Sequence, residues 1–171
     1  MLSKKSTIIL LICFFIGLSV LLYPSISSYW NSKTQSEAIV DYESMLANYK
    51  PEDRTAVFEE ANAYNQQLAA LALPMQECST LSALYWRTLD VTGTGMMGYI
   101  SVPKIDQELP VYHGTSDAVL GKAVGHLEGT SLPVGGAGTH SVVSAHRGLP
   151  SAVLFTYFGV NYLLGGIHSY A

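Results

Sequence analysis

His140-Ser141-Val142-Val143-Ser144-Ala145-His146-Arg147-Gly148-Leu149-Pro150 decides how this chain is read. A short apolar run ends on a histidine, in a setting rich in glycine and proline. Small Ala145 precedes His146, and Arg147-Gly148 follows it, where the backbone can bend to open a groove. A histidine at such a strand end suits one half of a nucleophile–base pair. The other half would be a cysteine or serine on a later strand. Only 25 residues follow His146, and none of them is cysteine.

Outward from His146 the grammar is that of strands. Gly98-Tyr-Ile-Ser-Val102 alternates and stops at Pro103, Leu109-Pro-Val-Tyr112 precedes Gly114, and Gly125-His-Leu-Glu-Gly129 and Ser141-Val-Val-Ser144 flank a Gly135-Gly136 turn. Ser116 to Ala123 reads as a short helix with Ser116 as its N-cap. Short strands with regular turn signals predict a small barrel or sandwich, so the fold class is mainly β with N-terminal helices. Four strands are too few to close a barrel, and their unpaired edges are a liability for aggregation.

Upstream of Met96 the pattern is helical. Ala38, Ile39, Tyr42, Met45, Leu46 and Tyr49 recur at helical spacing; Pro51-Glu52-Asp53 opens a second helix with the stripe Val57, Ala61, Tyr64, Leu68, Leu71. The two are expected to pack as an antiparallel hairpin. Leu73-Pro74 breaks the second helix, Leu81–Val91 reads as another short helix, and Thr92–Gly95 as a turn.

The N-terminus carries Thr7 to Tyr23, 17 residues without a charge, preceded by Lys4 and Lys5. At ~1.5 Å per residue such a helix is about 25 Å long, near the lower limit for a hydrocarbon core of ~30 Å. The lysines predict a cytoplasmic N-terminus and an exported remainder. An uncleaved signal anchor competes with a signal peptide cut near Ser25-Ile-Ser27-Ser28; the length of the run, with Pro24 and Trp30 at its exit, favours the anchor. The expected organisation is therefore 1–6 cytoplasmic, 7–23 transmembrane, 24–35 juxtamembrane linker, 36–91 helical hairpin region, 92–156 strand-rich half, and 157–171 tail.

Composition excludes other classes. Hydrophobic residues make up 49% and charged residues 13%, the net charge is −4, and no basic stripe exists beyond Lys4 and Lys5, so no nucleic-acid partner is expected. Cys13 lies in the apolar segment and Cys78 stands alone in the remainder, which rules out a disulfide framework. Cys78 lacks a strand-end or Gly-rich context and reads as incidental. His113, His126, His140 and His146 fall within 34 residues, but their spacings match no helical or finger-type ligand pair, so neither a metal nor a cofactor is expected. His113, His126 and His140 read as structural, satisfied polar residues at strand ends.

Gly98-Tyr-Ile-Ser-Val-Pro-Lys-Ile105, Leu109-Pro-Val-Tyr-His-Gly-Thr115, Val124-Gly-His-Leu-Glu-Gly-Thr-Ser-Leu-Pro-Val-Gly-Gly136 and Thr139-His-Ser-Val-Val-Ser-Ala-His-Arg-Gly-Leu-Pro-Ser151 together resemble the first half of the catalytic domain of a class C, pilus-assembling sortase of Gram-positive bacteria. The resemblance implies a membrane-anchored cysteine transpeptidase at the cell wall, built on a sortase-type β-barrel of which this chain holds an incomplete part. It also implies a lid-like part in 36–91 and a catalytic role for 92–156. Such an enzyme cleaves a Leu-Pro-x-Thr-Gly-like signal after Thr and passes the acyl group from a thioester to a lysine of another pilin. His146 matches the catalytic histidine. The family's nucleophilic Cys, in a Thr-Leu-x-Thr-Cys strand, has no counterpart, and neither does its later Arg. The Asp-Pro-aromatic lid motif is absent too: Leu73-Pro74-Met75 is the nearest local feature, and Tyr85-Trp86 the nearest aromatic pair. After Thr156 the chain reads Tyr157 to Ala171 with no charged side chain in fifteen residues, as a frameshift or truncation would leave it; His168, in this tail, is assigned no role. The expectation is an inactive sortase by descent, with pilin or surface proteins as partners. The competing expectation is a non-catalytic membrane-tethered module that binds pilin or a full-length sortase.

Overall fold

The computed structural model describes residues 4–146 (Lys104 by its backbone only) and the backbone of 168–170. Residues 147–156 of the expected catalytic half, Arg147 included, and 157–167 of the tail lie outside the described residues.

Helix α1 runs without interruption from Lys4 to Ala47 and is long and apolar enough to cross a membrane. The residues 24–35, expected as a linker, are helical, and so is Pro24. The physical reason is local: Ser19, Thr34 and Ser36 fold their hydroxyls back onto the carbonyls of Phe15, Trp30 and Ser32, which satisfies them inside the helix. The polar stretch therefore needs no break. Helix α2 follows at Pro51–Ala69, opened by Pro51 with Glu52 and Asp53 in its first turn. The short α3 (Pro74–Glu77) leads through a 3₁₀ turn at Cys78–Leu81 into α4 (Ser82–Arg87).

The strands are β1 (Met96–Val102), β2 (Gln107–His113), β3 (Val124–His126), β4 (Val143–Ser144) and β5 (His168–Tyr170), in the order β4-β3-β2-β1-β5. The sheet is open and mixed rather than a barrel. β1 pairs antiparallel with β2 and β5, β2 runs parallel to β3, and β3 antiparallel to β4. The crossover from β2 to β3 carries α5 (Asp117–Leu120), with Ser116 at its N-cap position but without a side-chain cap bond. The fifth strand, within the expected tail, had no counterpart in the sequence pattern.

The expected hairpin of α1 on α2 is not how the stripes are buried. Ile39 and Tyr42 of α1 pack with Met96, Tyr99 and Tyr112 on one face of the sheet. Ala61, Tyr64 and Leu68 of α2 join Tyr85, Ile100, Val102, Leu109, Val111 and Val124 on the other. The sheet offers two apolar faces, and each helix takes one. A register shift between Met96 and Gly98 makes this possible: Met96 and Tyr99 are three apart, and strict alternation would send them to opposite faces. The bulge returns them to one face, and Tyr42 Oη donates to the carbonyl of Met97 there, at 3.2 Å.

The parallel β2–β3 pair needs a very close approach. A Cβ on Gly125 would stand 2.4 Å from the carbonyl oxygen of Gly114, so only glycine fits that position without moving backbone.

Candidate active site at the end of β4

β4 is short, and its register fixes where His146 stands. Gly125 pairs with Ser144, His126 with Val143, and Leu127 N donates to Val142 O at 2.9 Å. Extended by two residues, this ladder sets His146 level with Ala123. His146 is half-buried, and its ring has no hydrogen-bond partner among the described residues.

The loop from β3 to β4 is held at several points. Thr130 Oγ1 accepts from Val142 N at 3.2 Å, Ser131 N donates to His140 O at 2.9 Å, and His140 N donates to Ser131 Oγ at 3.2 Å. The His140 side chain is exposed. From α2, buried Asn65 bonds both backbone groups of Leu132.

His113 and His126 form a separate buried network. His126, at the end of β3, has Nε2 2.9 Å from Ser131 O, to which it donates, and Nδ1 3.1 Å from Tyr85 Oη. Burial pushes its pKa down to about 4; the Ser131 bond acts against this and neighbouring His113 adds to it. Tyr85 Oη is the junction: it donates to His126 O at 2.9 Å and accepts from Gly114 N at 2.9 Å, and burial raises its pKa. His113 spans two backbone carbonyls, with Nδ1 2.9 Å from Gly95 O and Nε2 2.9 Å from Thr88 O. Tyr85 is 0% exposed; Trp86, 49% exposed, edges against it and lies beneath Gly114. Sequence reading placed His113 and His126 at strand ends but missed Tyr85 as their link. A tyrosine hydroxyl amid an apolar stripe was the available signal.

Cys78 lies elsewhere. Met75 Sδ and Cys78 Sγ pack against Gly129, 3.2 and 3.3 Å from where its Cβ would be, and Gly129 has φ +88°. Beside them Tyr64 Oη and Glu128 Oε1 are buried with no hydrogen-bond partner among the described residues. Burial raises the Tyr64 pKa to about 12, and the Glu128 charge adds to that rise. The lid-like segment thus presses on the turn that follows β3. At ~3.3 Å per residue, the ladder levels of Ala123 and Leu127 are about 13 Å apart. Cys78 therefore sits beyond the far end of β3 from His146. Among the described residues no group of three or more His, Cys, Asp or Glu is placed to hold a metal ion.

Residues 100–159 match the sortase domain family. Sortase C1 of Streptococcus agalactiae is 43% identical, with 71% of this chain and 63% of that one covered and a TM-score of 0.67. The chain is a partial sortase. Sortase C of Streptococcus pneumoniae, described with its pilin substrate specificity, is 35% identical over 71% of this chain and 61% of its own, with a TM-score of 0.57. A lid mutant of sortase A from Corynebacterium diphtheriae is 38% identical, covering 64% and 59%, with a TM-score of 0.55. This partial sortase spans about three fifths of the length of these relatives. No curated protein matches the sequence.

Proposed function

We propose that the chain is the histidine-bearing part of a pilus-type sortase, a transpeptidase for a Leu-Pro-x-Thr-Gly-like signal, and that these 171 residues alone do not complete the reaction. The observation that carries this is the isolation of His146. It lies half-buried two residues past β4, outside the network that engages His113 and His126. A ring with no hydrogen-bond partner among the described residues is available for proton transfer.

In this chemistry a cysteine thiolate attacks the Thr carbonyl carbon and the Thr–Gly C–N bond breaks. His146 gives its proton to the departing glycine amine. The ε-amine of a pilin lysine then attacks the thioester and yields a proton to His146. The C–S bond breaks, and thiolate and isopeptide result. No cysteine follows Cys78 in these residues, and Cys78 itself packs against Gly129, beyond the end of β3 far from His146. The anchor reading of α1 places residues beyond its apolar run outside the cell membrane, as a single-pass protein facing pilin substrates.

The position of Cys78 also favours a second reading, a tethered module that binds pilin or a full-length sortase without chemistry. Incubating the full chain with a Leu-Pro-x-Thr-Gly peptide, followed by intact-mass measurement, separates the readings. The proposal predicts no covalent adduct. Acylation of Cys78 contradicts it, and tight binding without an adduct favours the module.

A further inference from the structure

The face of the sheet that α1 covers holds a cleft of about 170 Å³, lined by Trp30, Asn31, Thr34, Gln35, Tyr112 and Lys122 among others. We propose that this cleft seats the phosphate headgroup of an anionic phospholipid in the leaflet from which α1 emerges. The inference rests on the reading of α1 as a membrane anchor.

Height comes first. From Ser6 to Ile26 the helix rises about 30 Å, the thickness of a hydrocarbon core. Trp30 then stands about 6 Å beyond the hydrocarbon edge and Gln35 about 13 Å beyond it. The headgroup layer of one leaflet is about 5–8 Å deep, so the Trp30 end of the cleft opens within it. Exposed Tyr23, Tyr29 and Trp30 supply the aromatic belt that interfaces favour.

Rigidity comes second. α1 is continuous to Ala47 and is fixed to the sheet by Ile39, by Tyr42 and by Gln35 Nε2, which donates to Lys122 O at 2.7 Å. The cleft therefore keeps its height above the bilayer for as long as the helix stays in it.

Charge comes third. Lys122 is the one charged side chain in the lining, and the lining contains no carboxylate. Its exposed ammonium lies 5.1 Å from the centroid of the Tyr112 ring, which orients it along the wall. Glu37, on the same helix, is paired with Lys33 at 3.8 Å. A phosphate in the cleft would meet the Lys122 cation, with no carboxylate in the lining to repel it.

The test uses the full chain with Trp86→Phe, which leaves Trp30 as its one tryptophan. It is reconstituted in phosphatidylcholine nanodiscs containing a headgroup nitroxide on either phosphatidylglycerol or phosphatidylcholine. Trp30 should be quenched by both, with about fivefold preference for the phosphatidylglycerol label. Lys122→Gln should remove the preference, and Lys122→Arg should keep it. Equal quenching by the two lipids, or a preference that survives Lys122→Gln, overturns the seat and leaves the anchor standing. A chain that alkaline carbonate extracts and neither label quenches overturns the anchor and the seat together.

Discussion

Asn65 and Leu132 are paired across 67 residues as two strand residues would be: Leu132 N donates to Asn65 Oδ1 at 2.7 Å, and Asn65 Nδ2 donates to Leu132 O at 3.3 Å. The bond pair ties α2 to the loop that carries the chain from β3 to β4, and so to His146. Asn65→Leu would keep the volume but leave two buried backbone groups unsatisfied. We expect it to lower the unfolding free energy of the full chain in detergent by about 2–4 kcal/mol, read from denaturant titration. A change below about 0.5 kcal/mol would mean that this tie does not hold the loop.

Acid should loosen the fold through His126. Its pKa is about 4 in the folded chain and ~6.5 when unfolded. Between those values the unfolded chain binds a proton that the folded chain refuses. The stability is complete above pH ~6.5 and is lost progressively as pH falls toward 4, by about 3 kcal/mol over the whole interval. His126→Gln should flatten that part of the profile. An unchanged slope would place the acid sensitivity elsewhere.

Gly125→Ala brings a methyl into the carbonyl of Gly114 and forces the β2–β3 pair apart. Loss of about 2 kcal/mol or more is expected, since backbone and not a flexible side chain must yield. Thermal melting gives the answer. A melting temperature within a degree or so of the unaltered chain would contradict the close approach.

The histidines should respond in opposite ways. His113→Leu removes from a buried site the ring that stands between the Gly95 and Thr88 carbonyls, one of which accepts its N–H, and should cost about 1–3 kcal/mol. His146→Ala removes a half-buried ring with no hydrogen-bond partner among the described residues and should change stability by less than ~0.5 kcal/mol. Equal losses would show that His146 is a structural residue.

Strands β1 to β4 were legible because alternation, Pro103, Gly114 and the Gly135-Gly136 turn bound them. The two-sided burial of the sheet was not, since it depends on a bulge at Met97 that no residue type announces. The continuity of α1 through Ser25–Ser36 was hidden because Thr34 and Ser36 satisfy their hydroxyls within the helix and the stretch carries no apolar period. β5 is three residues long and offers no pattern. At the site, His146 was marked by its setting after an apolar run and by the family resemblance. The Asn65–Leu132 tie and the Tyr85 junction join residues far apart in the chain, and only the fold brings them together. The sequence shows Tyr85-Trp86 as an aromatic pair but not which of the two is buried.

The most direct test of the central claim grafts residues 96–146 in place of the matching segment of Streptococcus agalactiae sortase C1 and measures turnover of a Leu-Pro-x-Thr-Gly peptide. Proton transfer by a placed base contributes about 10²–10⁴-fold. The account predicts an active chimera that His146→Ala slows by at least about 10²-fold with its melting temperature unchanged. An active chimera that His146→Ala leaves within a few-fold of the unaltered rate would contradict it.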